Sequence, residues 1–398
     1  MKIIDQVKDK LNRHKERHSE MGYRFVIADS IAFINTKDWD LVAEHNSVFL
    51  SRSYLLAIEN CSPENTEQRY AVAYDLQNQP VVIVACQVAQ ISGESLSQDS
   101  GKLAKKIKQG YQERVLVCGN LVSSGLHGVG FGLGFDQQKA WRITAEIIYK
   151  IRRAEKLSGK IDFVLIKDIK KPLLEPSEVL ERYSYRRIQT DPDMVLELGK
   201  EMSSFDDYLG LLTTKYRGRI KKIIKTIDQA GLGCEKLVLD EHSDAKAHEL
   251  YLQVEGKSAT RLATLPKGYF MALQQALGDA FCCYGISSTE GLVGFVSVIK
   301  DGNEAVAYYV GLDYSVNKKL PIYFRLLQLV IEVAIEWGCG KVLFGRTALE
   351  PKASLGAEPV EEFVWARHRV PVVNFMVRKL FRNMPFDTAP ERSVKKKK

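Results

Sequence analysis

With 398 residues, 45% of them hydrophobic and 27% charged, the chain holds enough core material for two domains and lacks the composition of a disordered protein. Its net charge of +8 permits a polyanionic partner without requiring one, because part of it is the terminal KKKK. The seven cysteines include no CxxC pair and lie mostly in apolar runs, which argues against a disulfide framework and a structural zinc site.

After a charged segment expected to be helical over 1–20, YRFVIADSIAFI reads as strand and the following stretch to Pro63 as two helical pieces. RYAVAYDLQ and PVVIVACQVAQI are strands joined by a tight connection before Pro80. Residues 94–113 read as a polar, lysine-rich surface insertion with a helix near 101–109. RVLVCGN is a strand, GLHGVGFGLGFD a glycine-rich loop, QQKAWRITAEIIYKIRRAEKL an amphipathic helix and IDFVLIKDI a strand.

The order strand, loop, helix, strand recurs downstream. FDDYLGLLTTKYRGRIKKIIKTIDQAG fits a helix with a strongly basic face carrying Arg217, Arg219, Lys221 and Lys222. GCEKLVLDE is a strand, 243–277 is mainly helical, and AFCCYGISS, GLVGFVSVI and AVAYYVGL form three successive strands. The loop YSVNKKLPIY, the helix up to Gly338 and the strand KVLFG complete the second unit. This pattern predicts an α+β protein, a mixed sheet covered by helices occurring twice, with domains at 21–200 and 201–380 and a basic tail over 381–398. In RHRVPVVNFMVRKLFRNMPF, apolar and basic residues alternate as in an amphipathic helix, fit either to lie on an anionic membrane or to pack on the second domain. The terminal KKKK reads as a solvated tail. The N-terminus has no apolar core of signal-peptide length, and no apolar run reaches about 18 residues, the lower range for a membrane span. A cytoplasmic protein is expected, with contact to the inner face of a membrane left open.

The element order, with YLGLLTTKYRGRIKKIIK, GLVGF, YYVGLD and IYFRLLQLVIEVAIEWGCGKVLFGRTALEPKASLGAEP, resembles the GNAT-like N-acyltransferases, in particular the tandem-GNAT group related to the FemAB aminoacyltransferases. The resemblance implies two tandem GNAT-like domains and transfer of an acyl group to the amine of a small molecule, lipid or cell-envelope precursor. The donor would be acyl-CoA as co-substrate, or alternatively aminoacyl-tRNA. It also leaves room for a non-catalytic scaffold binding anionic membrane or nucleic acid. The second-domain loop departs from the glycine-bearing acyl-CoA loop of such proteins. The candidates for binding the donor's phosphates are Lys318 and Lys319, which stand there instead, and Gly128 and Gly130 in the glycine-rich run of the first unit.

Acyl transfer needs a proton acceptor, a stabilised oxyanion and a positioned amine. The candidates for catalysis are Asp313, Tyr309 and Lys352, the last by resemblance to FemAB relatives. For substrate binding they are Arg217, Tyr314, Tyr323, Arg346 and Glu350, the last two placed with Lys352 after a strand end, where open α/β sheets bind ligands. His127 has no metal or triad spacing, and no metal is expected.

Overall fold

The computed structural model describes residues 21–92, 112–125, 127–199, 202–258, 261–382, 390 and 392–396, the side chains of 378–382 excepted. The expected helices at 1–20 and near 101–109 lie outside the described residues.

The first sheet contains β1 (Arg24–Ala28), β2 (Thr66–Tyr74), β3 (Pro80–Ser92), β4 (Gln112–Cys118), β5 (Val129–Phe131), β6 (Phe163–Lys170) and β7 (Arg186–Gln189). The second contains β8 (Asp193–Glu197), β9 (Gly233–Leu237), β10 (Phe281–Ser288), β11 (Gly291–Asp301), β12 (Glu304–Leu312), β13 (Lys341–Leu343) and β14 (Glu358–Val360). The last strand, β15 (Glu362–His368), returns to the first sheet, between β6 and β7. Helices α1 (Thr36–Ala43) and α2 (Arg52–Asn60) precede β2; α3 (Gln137–Ala154) and α4 (Lys171–Ser177) flank β6. In the second half α5 (Phe205–Leu211) and α6 (Thr214–Gln229) precede β9, α7 (Glu241–Glu255) and α8 (Tyr269–Leu277) precede β10, and α9 (Tyr314–Asn317) and α10 (Ile322–Glu336) follow β12. Short α11 (Leu349–Ala353) and terminal α12 (Pro371–Arg382) complete the chain.

The two sheets run β1-β2-β3-β4-β6-β15-β7 and β9-β10-β11-β12-β13-β8-β14 when read in the same direction, β5 adding to β3. Each is a meander ending in one parallel pair, β4 with β6 and β12 with β13, joined by a crossover through α3 or α10. The strand beside each parallel pair comes from the other half: β8 follows β7 but pairs with β13, and β15 follows β14 but pairs with β6. Neither sheet is built from one contiguous stretch of chain.

Burial explains the layers. The α3 residues Ala140, Trp141, Ile143, Ile147, Ile148 and Ile151 recur at helical spacing and cover one face of the first sheet. In α10, Ile322, Leu326, Val330 and Ala334 do the same for the second. A third core lies between the halves, joining Trp39, Phe49 and Tyr54 to Tyr269, Phe270 and Phe295. Asp301 ties the halves further, accepting from Ser47 Oγ at 2.7 Å and Val48 N at 2.8 Å.

Three expectations are corrected. The helix predicted from Phe205 onward breaks at Leu212–Thr213, because the chain end pairs there: Thr213 N donates to Val394 O at 3.0 Å and Lys396 N to Leu211 O at 2.9 Å. With Val394 only 2% exposed, the first lysines of KKKK belong to a docked segment instead of a solvated tail. The C-terminal amphipathic helix exists as α12, but it packs on β7 and β15 of the first sheet, not on the second domain.

Glycine is required at 128, where a Cβ would lie 2.1 Å from Gly119 N and 2.4 Å from the Cys118 carbonyl carbon. Gly128→Ala is expected to cost about 1–3 kcal/mol, read as a lowered urea midpoint with unchanged slope. A wild-type midpoint would show that the β4–β5 connection yields without strain.

Candidate active site

Each parallel pair separates partway along. β4 and β6 are in register from Val115–Phe163 to Cys118–Ile166, after which β6 continues without β4, paired only with β15. β12 and β13 pair only from Glu304–Lys341 to Val306–Leu343, and β12 runs on to Leu312. A cavity of about 500 Å³ occupies the space between these separations. Leu121, Val122, Ser123 and Ser124 line it from the loop after β4, Lys167 from β6, Tyr308 and Tyr309 from β12, and Gly345 and Arg346 from the turn after β13; Asp193 lies at the start of β8.

Two bulges shape its walls. Ser297 and Val298 of β11 face Tyr309 and Ala307, so Tyr308 is an extra residue on β12. Strand alternation would send two adjacent tyrosines to opposite faces; the bulge lets both line the cavity. Tyr308 OH lies 2.6 Å from Tyr269 OH and 3.1 Å from Tyr54 OH, while Tyr309 OH donates to Val122 O at 3.1 Å. Burial drives the Tyr308 and Tyr309 phenols well above their usual range, so both are neutral hydroxyls. On β6, Lys167 and Asp168 together face the single Val364 of β15, and Asp168 takes φ 62°.

Asp168, fully buried, is the centre of a charge cluster. Its carboxylate accepts from Arg346 Nη2 and from Gly125 N at 2.9 Å and forms an ion pair with Lys167 Nζ at 3.1 Å. Arg346 also binds Glu362 Oε2 through Nε at 3.1 Å and Nη2 at 2.9 Å, leaving Nη1 unpaired among the described residues. Glu362 is likewise fully buried and its Oε1 has no partner among the described residues; burial raises its pKa despite Arg346. Lys167 donates to Asn120 O at 2.8 Å and to Ser123 O, fastening the β4 loop to β6. Burial and the nearby Arg346 push its amine down to about 7. Asp193 accepts from Gly345 N at 2.8 Å and has Lys170 Nζ 3.7 Å from its other oxygen; burial raises its pKa. Ser124 Oγ is buried at the cavity wall with no partner among the described residues.

Of the residues singled out from sequence, Tyr309 and Arg346 line this cavity. Lys352 lies just behind it, buried, its Nζ donating to Gly345 O at 3.0 Å and pushed down to about 8 by burial. Glu350 points to solvent and pairs with Arg392. Asp313 caps α9, accepting from Ser315 N at 2.8 Å, and Tyr314 lies under Lys257, whose Nζ is 3.1 Å from the ring centroid. Tyr323 packs at the start of α10 against the second-sheet core, and Arg217 lies on α6. Lys318 and Lys319 are exposed, and the α10 terminus beside them is already capped: Asn317 Oδ1 accepts from Tyr323 N at 2.9 Å. At α3 the Asp136 carboxylate fills the same role with Lys139 N at 2.6 Å. Gly128 and Gly130 are held by packing, Gly130 within β5 against Ile83, and neither lines the cavity.

Lys167, Asp168, Asp193, Tyr308 and Glu362 were not identified from sequence as site residues. The readable signal was KD inside the apolar run IDFVLIKDI, where two charges on a buried strand require partners. Among the described residues no group of three His, Cys, Asp or Glu side chains is placed to hold a metal, and no helix is long and apolar enough to cross a membrane.

Among solved structures, FemX superposes with a TM-score of 0.56 at 10% identity, over 89% of this chain and all of FemX. This is a FemAB-like tandem GNAT fold. A tandem GNAT protein from the clavulanic acid biosynthesis pathway matches with TM-score 0.47 at 14% identity, covering 88% of this chain and 99% of its own. The C-terminal domain of a putative lysylphosphatidylglycerol synthetase from Agrobacterium fabrum matches with TM-score 0.48 at 9% identity, covering 87% and 95%. At these identities the likeness is one of fold. No protein-family model and no curated protein matches the sequence.

Replacing Arg346 by Met leaves fully buried Glu362 without its ion pair and Asp168 with Lys167 alone, so a loss of about 3–5 kcal/mol is expected. Glu362, already raised by burial, would then hold a proton in the folded state that the unfolded chain releases, so the deficit should grow from pH 5 to pH 8. Urea titrations at both pH values check it; a pH-independent deficit would contradict the assignment of Arg346 as the counter-ion of Glu362.

Proposed function

We propose that the protein is an amine acyltransferase working in the cavity between its two halves. The observation that carries this reading is the convergence of both strand separations on one cavity that brings together a buried carboxylate, neutral hydroxyls and a cation. Such a set meets the needs of acyl transfer. Asp193, raised by burial and without a close partner on one oxygen, takes the proton from the attacking amine. The hydroxyl of Ser124, without a partner among the described residues, is the donor available to the carbonyl oxygen as it gains charge, and the tyrosine network around Tyr308 offers a proton to the departing group. Arg346, with Nη1 unspent, meets an anionic part of donor or acceptor. Lys352 acts through Gly345, holding the turn that carries Arg346.

The donor is an activated acyl ester or thioester. Acyl-CoA is the first to test, and aminoacyl-tRNA is the second reading. That second reading draws support from the capped N-termini of α3 and α10, where a pyrophosphate would compete with Asp136 and Asn317. The acceptor is an amine on a small molecule, lipid or cell-envelope precursor.

The test supplies purified protein with acyl-CoA and aminoacyl-tRNA panels and amine acceptors, following thiol or tRNA release. Asp193→Asn keeps the bond to Gly345 N but should lower turnover by about 10²–10⁴. Because a carboxylate must be ionised to act as base, wild-type turnover should fall as pH drops, with a midpoint above the ordinary 3.8 of aspartate. Turnover in Asp193→Asn equal to wild type would remove Asp193 from the reaction. No transfer from either donor class would remove the proposal itself.

A further inference from the structure

A second cavity, of about 190 Å³, lies far from the first in character and place. Tyr149, Arg152, Arg153, Lys156, Lys160, Ile161 and Arg369 line it, so five of its seven side chains are cationic. Arg152 and Arg153 end α3, Lys156 and Lys160 follow in the next turns, and Arg369 leaves β15. Arg369 alone has an acidic partner, Asp162; among the described residues Arg152, Arg153, Lys156 and Lys160 form no ion pair. The nearest carboxylate along the chain, Glu155, is consumed by Arg69 and by Arg114 at 3.0 Å. Arg367 raises the local positive charge further, enough to lower the Arg152 pKa together with burial.

Apolar side chains stand in water beside this cluster. Leu157 is 100% exposed between Lys156 and Lys160. Two residues beyond Arg369, α12 begins, and Val372 and Phe375 are each 74% exposed with Met376 at 38%. Spacings of three and four put these on one face of α12. The opposite face is fixed: Val377 is buried, and Asn374 accepts from His368 N at 2.8 Å and donates to Ser184 O at 2.9 Å. The exposed face therefore cannot roll inward to hide.

We infer that this basic cavity and the outer face of α12 form one docking surface for an anionic lipid bilayer, the cations taking lipid phosphates and Leu157, Val372 and Phe375 entering the acyl boundary. The charge complement alone would suit any polyanion. Exposed leucine, valine and phenylalanine contribute nothing to phosphate contact in water, whereas at a bilayer they bury apolar area next to attracted headgroups. The surface adjoins Ile161, just before β6, and shares no lining residue with the first cavity.

Co-sedimentation of the full chain with vesicles tests this without reference to catalysis. Vesicles of phosphatidylglycerol in phosphatidylcholine should bind, and pure phosphatidylcholine should not. Arg153→Gln, Lys156→Gln and Lys160→Gln should each weaken partitioning roughly fivefold, and the three together about a hundredfold. Phe375→Ser with Val372→Ser should also release the protein from anionic vesicles, with circular dichroism and melting unchanged because both side chains are exposed. Equal binding to neutral vesicles, unchanged binding by the triple variant, or binding that ignores Phe375→Ser and Val372→Ser while a soluble RNA competes fully would each overturn the inference. The last outcome would identify a nucleic-acid surface instead.

Discussion

A single guanidinium, Arg346, holds two strands that lie nearly two hundred residues apart in the sequence. Asp168 on β6 and Glu362 at the start of β15 are both without solvent, and both pair with this one cation, Asp168 sharing it with Lys167. Two carboxylates buried side by side would repel and would rather be protonated; the guanidinium between them makes their proximity tolerable. Because Arg346 sits in the turn after β13 of the other sheet, this one group links the two sheets at the cavity wall, in addition to the shared core and the Asp301 contacts. The cavity's walls come from the β4 loop on one side and the β12 bulge on the other, and Lys167, beside Asp168 on β6, fastens that loop.

The repeated architecture turns out to be asymmetric where chemistry would sit. Both halves separate a parallel strand pair, but the first fills its opening with Lys167 and its loop carbonyls, whereas the second leaves tyrosine hydroxyls facing the space. The halves are thus unequal contributors to one site instead of two sites of equal standing. The shared core built from Trp39, Phe49, Tyr269 and Phe270 removes much of the freedom that two linked domains usually have to move against each other.

Much of the fold was legible because long apolar elements carry their period openly. The α3 and α10 faces, the three strands β10 to β12 and the recurrence of strand, helix, strand all follow from spacing. The exchange of β8 and β15 was not legible, since pairing partners more than a hundred residues apart leave no local pattern. The site was partly legible for the same reason. Arg346 and Tyr309 follow from position after or within strands, whereas Tyr308 depends on a bulge that breaks alternation, and Asp193 and Glu362 depend on the crossing. Asp313, Lys318 and Lys319 are prominent in sequence because they occupy a polar turn, and a polar turn is what they form. The glycine run misled similarly: Gly128 is demanded by backbone contact with Gly119, a reason independent of any ligand.

The place of β15 has a consequence for how the chain is made. During synthesis β6 and β7 emerge with an empty strand position between them, and it stays empty until Glu362–His368 leaves the ribosome, about 170 residues later. At roughly 5–20 residues per second that interval lasts about 10–35 s. Throughout it the nascent first sheet presents two unpaired edges and an Asp168 still without Arg346. A chain of this design relies on its final strand to close its first sheet, so its newborn form is the state most exposed to chaperones and to aggregation.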